Sequence, residues 1–410
     1  MEQTGMAEFR PTGEALSYLL SDEGRTLLDE LAASELRESD LLAETTRLRK
    51  RYPRDIVAAA LDLTLLRQQA RKFARADQMY FTREALEQAS AEAVSCYRAG
   101  RYAGYPGVAD LCCGIGGDAL ALAGETEVVA VDLDLLRLRM AAANVAAYGH
   151  AARLHICCAD VRSWDVPAGH VAWADPSRRT RGKRVFTLAQ YVPPLAELLA
   201  RVEHAPGAGV KLSPGVDYAE LARVVGHGGY EVEIISVRGE AREAVLWLGE
   251  LVTARRRATL LPGAHTLTDW PLPEPVPVKP VGRYLYEPDA AVIRAHLVEQ
   301  LAVEAGMFKI DPQIAYLSSD NLVETPFATA YRVEEAMPFG LKRIRARLRA
   351  IDASELVIKK RGIGIDPEAF RRQLKLKGGA GARTVLVLTR VQKRPMALIC
   401  QAILQSGGSG

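Results

Sequence analysis

The sequence is poor in cysteine, in long apolar runs and in net charge. Six cysteines in 410 residues (Cys96, Cys112, Cys113, Cys157, Cys158 and Cys400) are too few to staple a chain of this size. The two adjacent pairs lack the CxxC spacing of zinc ligands, and the seven histidines are scattered, so no metal is expected. No uninterrupted apolar run approaches the ~20 residues that span a bilayer. The opening MEQTGMAEFR has no basic start followed by an apolar stretch, so it is no secretory signal. A cytoplasmic protein with no membrane partner is the expectation. A hydrophobic fraction of 49% and a charged fraction of 25% exclude a collagen-like, disordered or coiled-coil chain. The length suggests two or three domains.

The net charge of +3 conceals an asymmetry. Residues 281–405 carry a net +7 and the remainder a net −4, and within 339–394 sixteen basic residues face four acidic ones. A second basic cluster occupies 47–75, with nine basic residues against Asp55 and Asp62. Stretches of this density suit a polyanion, because each phosphate contact releases condensed counterions; a solvated helix face is the plain alternative for either cluster.

Residues 1–80 read as a helical region, with Ile56, Ala60 and Leu63 at helical spacing. From Val108 short apolar runs alternate with amphipathic stretches. Strands are expected at 108–112, 128–132, 154–158, 171–174 and 209–212, with helices at 135–148 and 188–203, the pattern of a parallel sheet covered on both faces. Two β-like runs, 230–237 and 244–251, suggest a closing antiparallel pair. Six prolines within 261–280 suggest a semi-rigid linker and a domain boundary. Beyond it, helices at 290–305, 340–350 and 367–374 and strands at 328–333, 355–360, 384–391 and 396–402 suggest a small α/β domain, with a hairpin turn at 392–395. The predicted order is therefore 1–80 helical, 81–260 the α/β core, 261–280 linker, 281–405 the basic domain and 406–410 (SGGSG) a flexible tail.

The informative segment is DLCCGIGGD, Asp110 to Asp118, directly after the first strand. Gly114 and Gly116 allow a tight turn and close approach of a ligand to the backbone. Asp132 ends the second strand, where a carboxylate can accept hydrogen bonds from both ribose hydroxyls of an adenosine. Asp160 ends the third, where an acid can meet the adenine amino group. The fourth leads into Asp175-Pro176-Ser177-Arg178. Gly114 to Ala119 also fits the dinucleotide fingerprint of an NAD enzyme. S-adenosylmethionine is favoured because Asp110 precedes the glycines, where it can meet a positively charged methionine end, because Asp160 falls at the adenine position, and because an acceptor-side motif follows strand four. Open α/β sheets bind ligands at the carboxyl ends of their strands; four capping aspartates are the plain alternative.

At this point residues 81–250 resemble a class I S-adenosylmethionine-dependent methyltransferase. DLCCGIGGDALALA with VVAVDLD is similar to the RNA-cap trimethylguanosine synthase branch, and Phe81-Thr82 resembles that branch's segment lining the methionine end. The whole chain looks closer still to bacterial methyltransferases with a THUMP-like C-terminal domain. The resemblance implies a Rossmann-like α/β core with a mostly parallel seven-stranded sheet, an N-terminal helical region and a small α/β THUMP-like domain. It implies S-adenosylmethionine as cofactor and RNA as partner. Carried onto this sequence, it marks Phe81, Thr82, Asp110, Cys112, Gly114, Gly116, Asp118, Asp132, Leu133, Asp160 and Val161 as cofactor residues. It marks Asp175, Pro176, Ser177 and Arg178 as the catalytic, acceptor-facing motif. Here the sequence departs from the amino-methylating pattern of Pro-Pro and an aromatic. Arg178 and Arg179 can instead hold a phosphate through paired N–H donors.

The expected reaction is direct displacement at the methyl carbon, on an RNA base. Methylation of pyrimidine carbon-5 needs a thiolate facing the acceptor, and no cysteine accompanies Asp175-Pro176 or the strand end Lys211-Leu-Ser-Pro214. A small-molecule or protein methyltransferase and an NAD-dependent oxidoreductase are the rivals. Lys211 and Ser213 are candidates to face the acceptor, Trp164 to border the adenine, and 359–362 (KKRG) to touch phosphate.

Overall fold

The computed structural model describes residues 10–180, 183–184, 187–226, 228–353, 355–376 and 383–403. The tail 406–410 and the side chain of Arg179 lie outside the described residues. Two compact units emerge: 1–230 with 245–253, and 231–244 with 254–410.

In the first unit the N-terminal third is helical, as expected: α1 (Gly13–Leu19), α2 (Asp22–Ala33), α3 (Leu41–Leu48), α4 (Arg54–Gln69), α5 (Arg83–Gln88) and α6 (Glu92–Ala99). The hydroxyls of Thr12 and Ser21 start α1 and α2 by accepting the N–H groups of Ala15 and Gly24. The alternating region follows: β1 (Gly107–Leu111), α7 (Ala119–Glu125), β2 (Glu127–Asp132), α8 (Leu135–Ala147), β3 (Leu154–Cys158), β4 (Val171–Ala174), the short β5 (Arg179–Thr180) and β6 (Lys183–Arg184), α9 (Leu195–Val202), β7 (Gly207–Leu212) and α10 (Tyr218–Val225). β1 pairs in parallel with β2 and β4, β2 with β3, and β4 with β7. Every residue of β1, β4 and β7 is buried, which is why these strands read as continuous apolar runs. Parallel pairing puts the carboxyl ends of all five strands on one rim.

The helix expected at 188–203 starts only at Leu195. Residues 188–190 form a single 3-10 turn and Pro194 stands at the cap. Pro193 and Pro194 have no N–H to continue a helix from upstream, so it begins after them.

β8 (Tyr230–Val237) and β9 (Glu240–Gly249) are neighbours joined through Arg238 and Gly239, both at positive φ. Such a connection joins antiparallel strands, as expected. β10 (Arg256–Leu261) pairs in parallel with β8, and β11 (His265–Thr268) returns antiparallel to β10. The hydrogen-bonded order is β11-β10-β8-β9-β7-β4-β1-β2-β3, so two strands extend the seven expected. The first part of the 261–280 stretch is thus sheet rather than linker. His265, Thr266, Leu267 and Thr268 precede most of the prolines and are free to donate to the ladder.

The second unit continues with β12 (Tyr284–Pro288), α11 (Ala290–Arg294), α12 (Val298–Glu304), β13 (Phe308–Lys309), β14 (Leu317–Ser319), β15 (Ala328–Pro338), α13 (Leu341–Ala350), β16 (Leu356–Lys360), α14 (Pro367–Leu374), β17 (Thr384–Val391) and β18 (Arg394–Ala402). The strand order is β13-β14-β12-β15-β18-β17-β16. Ile344, Leu348, Phe370 and Leu374 pack α13 and α14 onto Leu386 and Leu388 of β17. The helix expected at 290–305 is broken into α11 and α12 at His296, whose φ is 60°. The turn at 392–395 is a hairpin, with Gln392 and Lys393 both at positive φ.

Candidate functional site

The rim of the first unit is built from the turn after β1. Cys112 and Gly114 adopt φ of 62° and 56°, reversing the chain so that the Gly114 N–H donates to Asp132 Oδ2 at 2.9 Å. Asp132 Oδ1 accepts the Asp134 N–H at 2.9 Å, and Asp134 in turn caps α8. Asp132 is therefore fixed by two backbone donors while its carboxylate borders a cavity. At Gly116 a Cβ would stand 2.9 Å from that of Ala141 on α8, so only glycine allows this approach of loop to helix. Asn144, fully buried on α8, ties the loop to the preceding chain: it accepts from the Tyr80 N–H and donates to the carbonyls of Tyr80 and Ile115.

The cavity has a volume of about 760 Å³, within the ~300–1,000 Å³ of small-molecule sites. Of the residues expected to hold a cofactor, Cys112, Gly114, Asp118, Asp132, Leu133, Asp160 and Val161 line it. So do Asp175 to Arg178, the motif expected to face the acceptor. Leu133, on the cavity wall, is 68% exposed. Asp160 is held by Arg162, whose side chain reaches both carboxylate oxygens and keeps the acid below its usual range. Four expected residues do not line the cavity. Phe81 is buried against Phe73, with ring centroids 5.8 Å apart. Thr82 caps α5 through Ala85, Gly116 packs on α8, and Asp110 lies fully enclosed. Trp164 is not a lining residue either.

Asp110 and Asp118 contrast. Both oxygens of Asp110 are sealed from solvent with no hydrogen-bond partner. Burial, reinforced by the charges of Asp118 and Asp175, pushes its carboxyl well above the usual carboxylate range. Asp118 Oδ1 accepts from Ser95 Oγ and Arg98 Nη2, each at 2.6 Å, and Oδ2 from Trp173 Nε1 at 3.0 Å. Although burial opposes ionisation, Arg98 and these donors hold it down to about 2. Asp118 is spent on this clamp, and the buried Trp173 is part of it. The Arg98 guanidinium stacks over the Trp173 ring at 4.1 Å.

At the strand-four end of the cavity, Lys211 Nζ donates to Asp175 Oδ2 at 2.7 Å. Ser177 exchanges backbone hydrogen bonds with Val192 at 3.0 and 2.9 Å, bringing Val192, Pro193 and Pro194 into the cavity wall. Arg178 lines the cavity, with its Nη1 buried and unpartnered. Gln88, Ala89 and Ser90 complete the wall beside the segment that the sequence marked at Phe81-Thr82. Their signal was only proximity: they follow the expected residues by half a dozen positions. Cys112 and Cys113 both line the cavity, and burial together with the neighbouring aspartates pushes both thiols up, away from a thiolate. Among the described residues no cluster of His, Cys, Asp and Glu could hold a metal, and no helix is long and apolar enough to cross a membrane.

Comparison with known proteins bears on this arrangement. A family described as RNA cap guanine-N2 methyltransferase matches residues 107–196, a THUMP domain-like family matches 328–402, and a domain of unknown function matches 12–70. A solved structure from Porphyromonas gingivalis W83, assigned as a methyltransferase, superposes with a TM-score of 0.66 at 18% identity, covering 89% of this chain and 98% of that one; it shares the fold. An uncharacterized S-adenosylmethionine-dependent methyltransferase of Mycobacterium tuberculosis, found in strains CDC 1551 and H37Rv, is 42% identical over 318 residues. That match spans 77% of this chain and 85% of the relative. An NAD-dependent oxidoreductase is thereby excluded. With S-adenosylmethionine as its methyl donor, the chain belongs to the S-adenosylmethionine-dependent methyltransferases.

Proposed function

We propose that the chain methylates an exocyclic amine of an RNA base. The observation that carries this reading is the Asp175-Pro176 motif set in the same cavity wall as the adenosine-type acid Asp132, in a chain that also carries a basic THUMP-like region. The matched family of RNA cap guanine-N2 methyltransferases acts, by its description, on such an amine.

The residues present fit the donor. Asp132 keeps lone pairs free beside its two backbone contacts, enough to accept from ribose hydroxyls. Leu133 and Val161 offer apolar flanks to an adenine, and Asp160 an acceptor at its edge once Arg162 shares it. Bound S-adenosylmethionine supplies a methyl group already activated on sulfur, so the chain's work is positioning. Asp175 and the Pro176 carbonyl would accept the hydrogens of the acceptor amine and turn its lone pair toward the donor.

Backbone affinity for RNA would come from the second unit. Lys342, Arg343 and Arg349 on α13 and Arg371 and Arg372 on α14 are exposed, and the two helices share one core. The KKRG segment contributes less: Lys359 Nζ lies 2.5 Å from Glu287, with Arg361 3.9 Å from the same acid. In the first unit the basic cluster 47–75 is partly structural. Arg67 donates to the Met79 carbonyl, Lys72 to that of Ala89 and Arg75 to that of Ala147.

The test is incubation with labelled donor and total RNA from a strain lacking the gene, followed by mass spectrometry of the nucleosides. An amine-methylated nucleoside is expected. Label found only in protein or in a small solute would overturn the RNA reading.

A further inference from the structure

We infer that Lys211 is a positioning residue for methyl transfer, fixing the Asp175 carboxylate and the Gln88 backbone from behind the cavity wall. The inference rests on the reading of Asp175 as an acceptor-side group. Lys211 is the penultimate residue of β7, and Asp175 follows β4. Because Ala174 registers with Val210, the two side chains stand abreast at the strand ends. Nζ is 2.7 Å from Asp175 Oδ2 and 3.5 Å from the Gln88 carbonyl. The lysine side chain is 4% exposed and lines no part of the cavity, whereas Asp175 and Gln88 both do.

A buried ammonium is a costly choice for a wall. An apolar side chain of the same volume is often neutral or better for stability than a buried ion pair, so the pair is weak as a fold device. What it does supply is orientation. A short aspartate side chain on a loop has two free torsions; a charge-assisted hydrogen bond to Oδ2 leaves Oδ1 as the oxygen presented to an acceptor. A second buried amine, Lys72, donates to the carbonyls of Leu86 and Ala89. The wall segment 86–89 is thus gathered by two ammonium groups, and Lys211 is the one that also reaches Asp175. Their mutual repulsion is visible in Lys72, which burial and then Lys211 bring down to about 8.

The test uses the full chain and, as acceptor mixture, an unfractionated lysate of a strain lacking the gene, so that the rate is read whichever fraction takes the label. Lys211→Met should lower the rate at saturating donor by about tenfold to a hundredfold, the scale of a small misplacement of reacting groups. S-adenosylhomocysteine affinity, measured by calorimetry, should stay within about twofold, since none of the lining acids that the donor meets is touched. Lys211→Arg, which can still reach the carboxylate, should recover a substantial part of the rate. Lys211→Gln stands in should the methionine variant fail to fold. An unchanged rate, a parallel loss of rate and nucleoside affinity, or an arginine variant no better than methionine would each overturn the inference. Label appearing outside RNA would instead overturn the RNA reading and leave the Lys211 comparison intact.

Discussion

Asp110 and Asp118 flank the same glycine turn, and both are buried, yet their carboxyls shift in opposite directions. Asp118 meets a serine hydroxyl, an indole N–H and a guanidinium, which hold it low. Asp110 meets no donor, and burial pushes it up. The sequence gives both the same residue type at the same rim; the donors within reach decide what each can do. A buried aspartate with several donors within reach is held low, and one without any is pushed up.

The sharpest way to break this contrast is to remove the Asp118 partner. Arg98→Met should destabilise the fold by about 3–5 kcal/mol, because it strands a buried carboxylate; urea denaturation at neutral pH measures it. Next is Asp132, the acid that is both held and open. Asp132→Asn should weaken S-adenosylhomocysteine binding by about 1.5–3 kcal/mol, the scale of hydrogen bonds to a charged group, while calorimetric melting stays cooperative. A third test is pH. Asp118 falls from 3.8 to about 2 in the folded chain. Its contribution, of order 2 kcal/mol, is fully present above the ordinary carboxylate range and lost as pH falls toward 2. Acid titration of the wild type should show that loss, and Asp118→Asn should lack the slope. The smallest effect belongs to Asp110→Asn. Below the ordinary carboxylate range, where the acid is protonated folded and unfolded alike, replacing it by an amide should change stability by less than about 1 kcal/mol. Because the folded chain holds the extra proton, the wild type should lose stability as pH rises above the ordinary carboxylate range, and the variant should not. A large loss in Asp110→Asn would mean the group is ionised and paired after all.

The rim itself was legible because strand-ending aspartates follow apolar runs at regular intervals, and β3 and β4 begin and end where the pattern places them. Less legible was the wall around it. Val192, Pro193 and Pro194 reach the cavity through a two-residue bridge to Ser177, a contact with no periodicity to announce it. Phe81 and Thr82 show a related gap: Gln88 to Ser90, a few residues on, line the cavity, while Phe81 turns into the core and Thr82 caps a helix. The β11 strand was hidden by the prolines that follow it, since composition averages over the stretch while a ladder needs only four donors and acceptors in line.

Spacing of glycines and acids along the chain determined the parallel sheet, its acidic rim and the placement of Asp132, Asp160 and Asp175 at strand ends, because strand geometry converts sequence interval directly into position. The upward push on the Asp110 carboxyl, the clamping of Asp118 and the pairing of Lys211 with Asp175 were decided only when distant segments packed. Charge state and side-chain orientation depend on which donors stand within about 3 Å, and residues tens of positions apart acquire that proximity only in the folded chain.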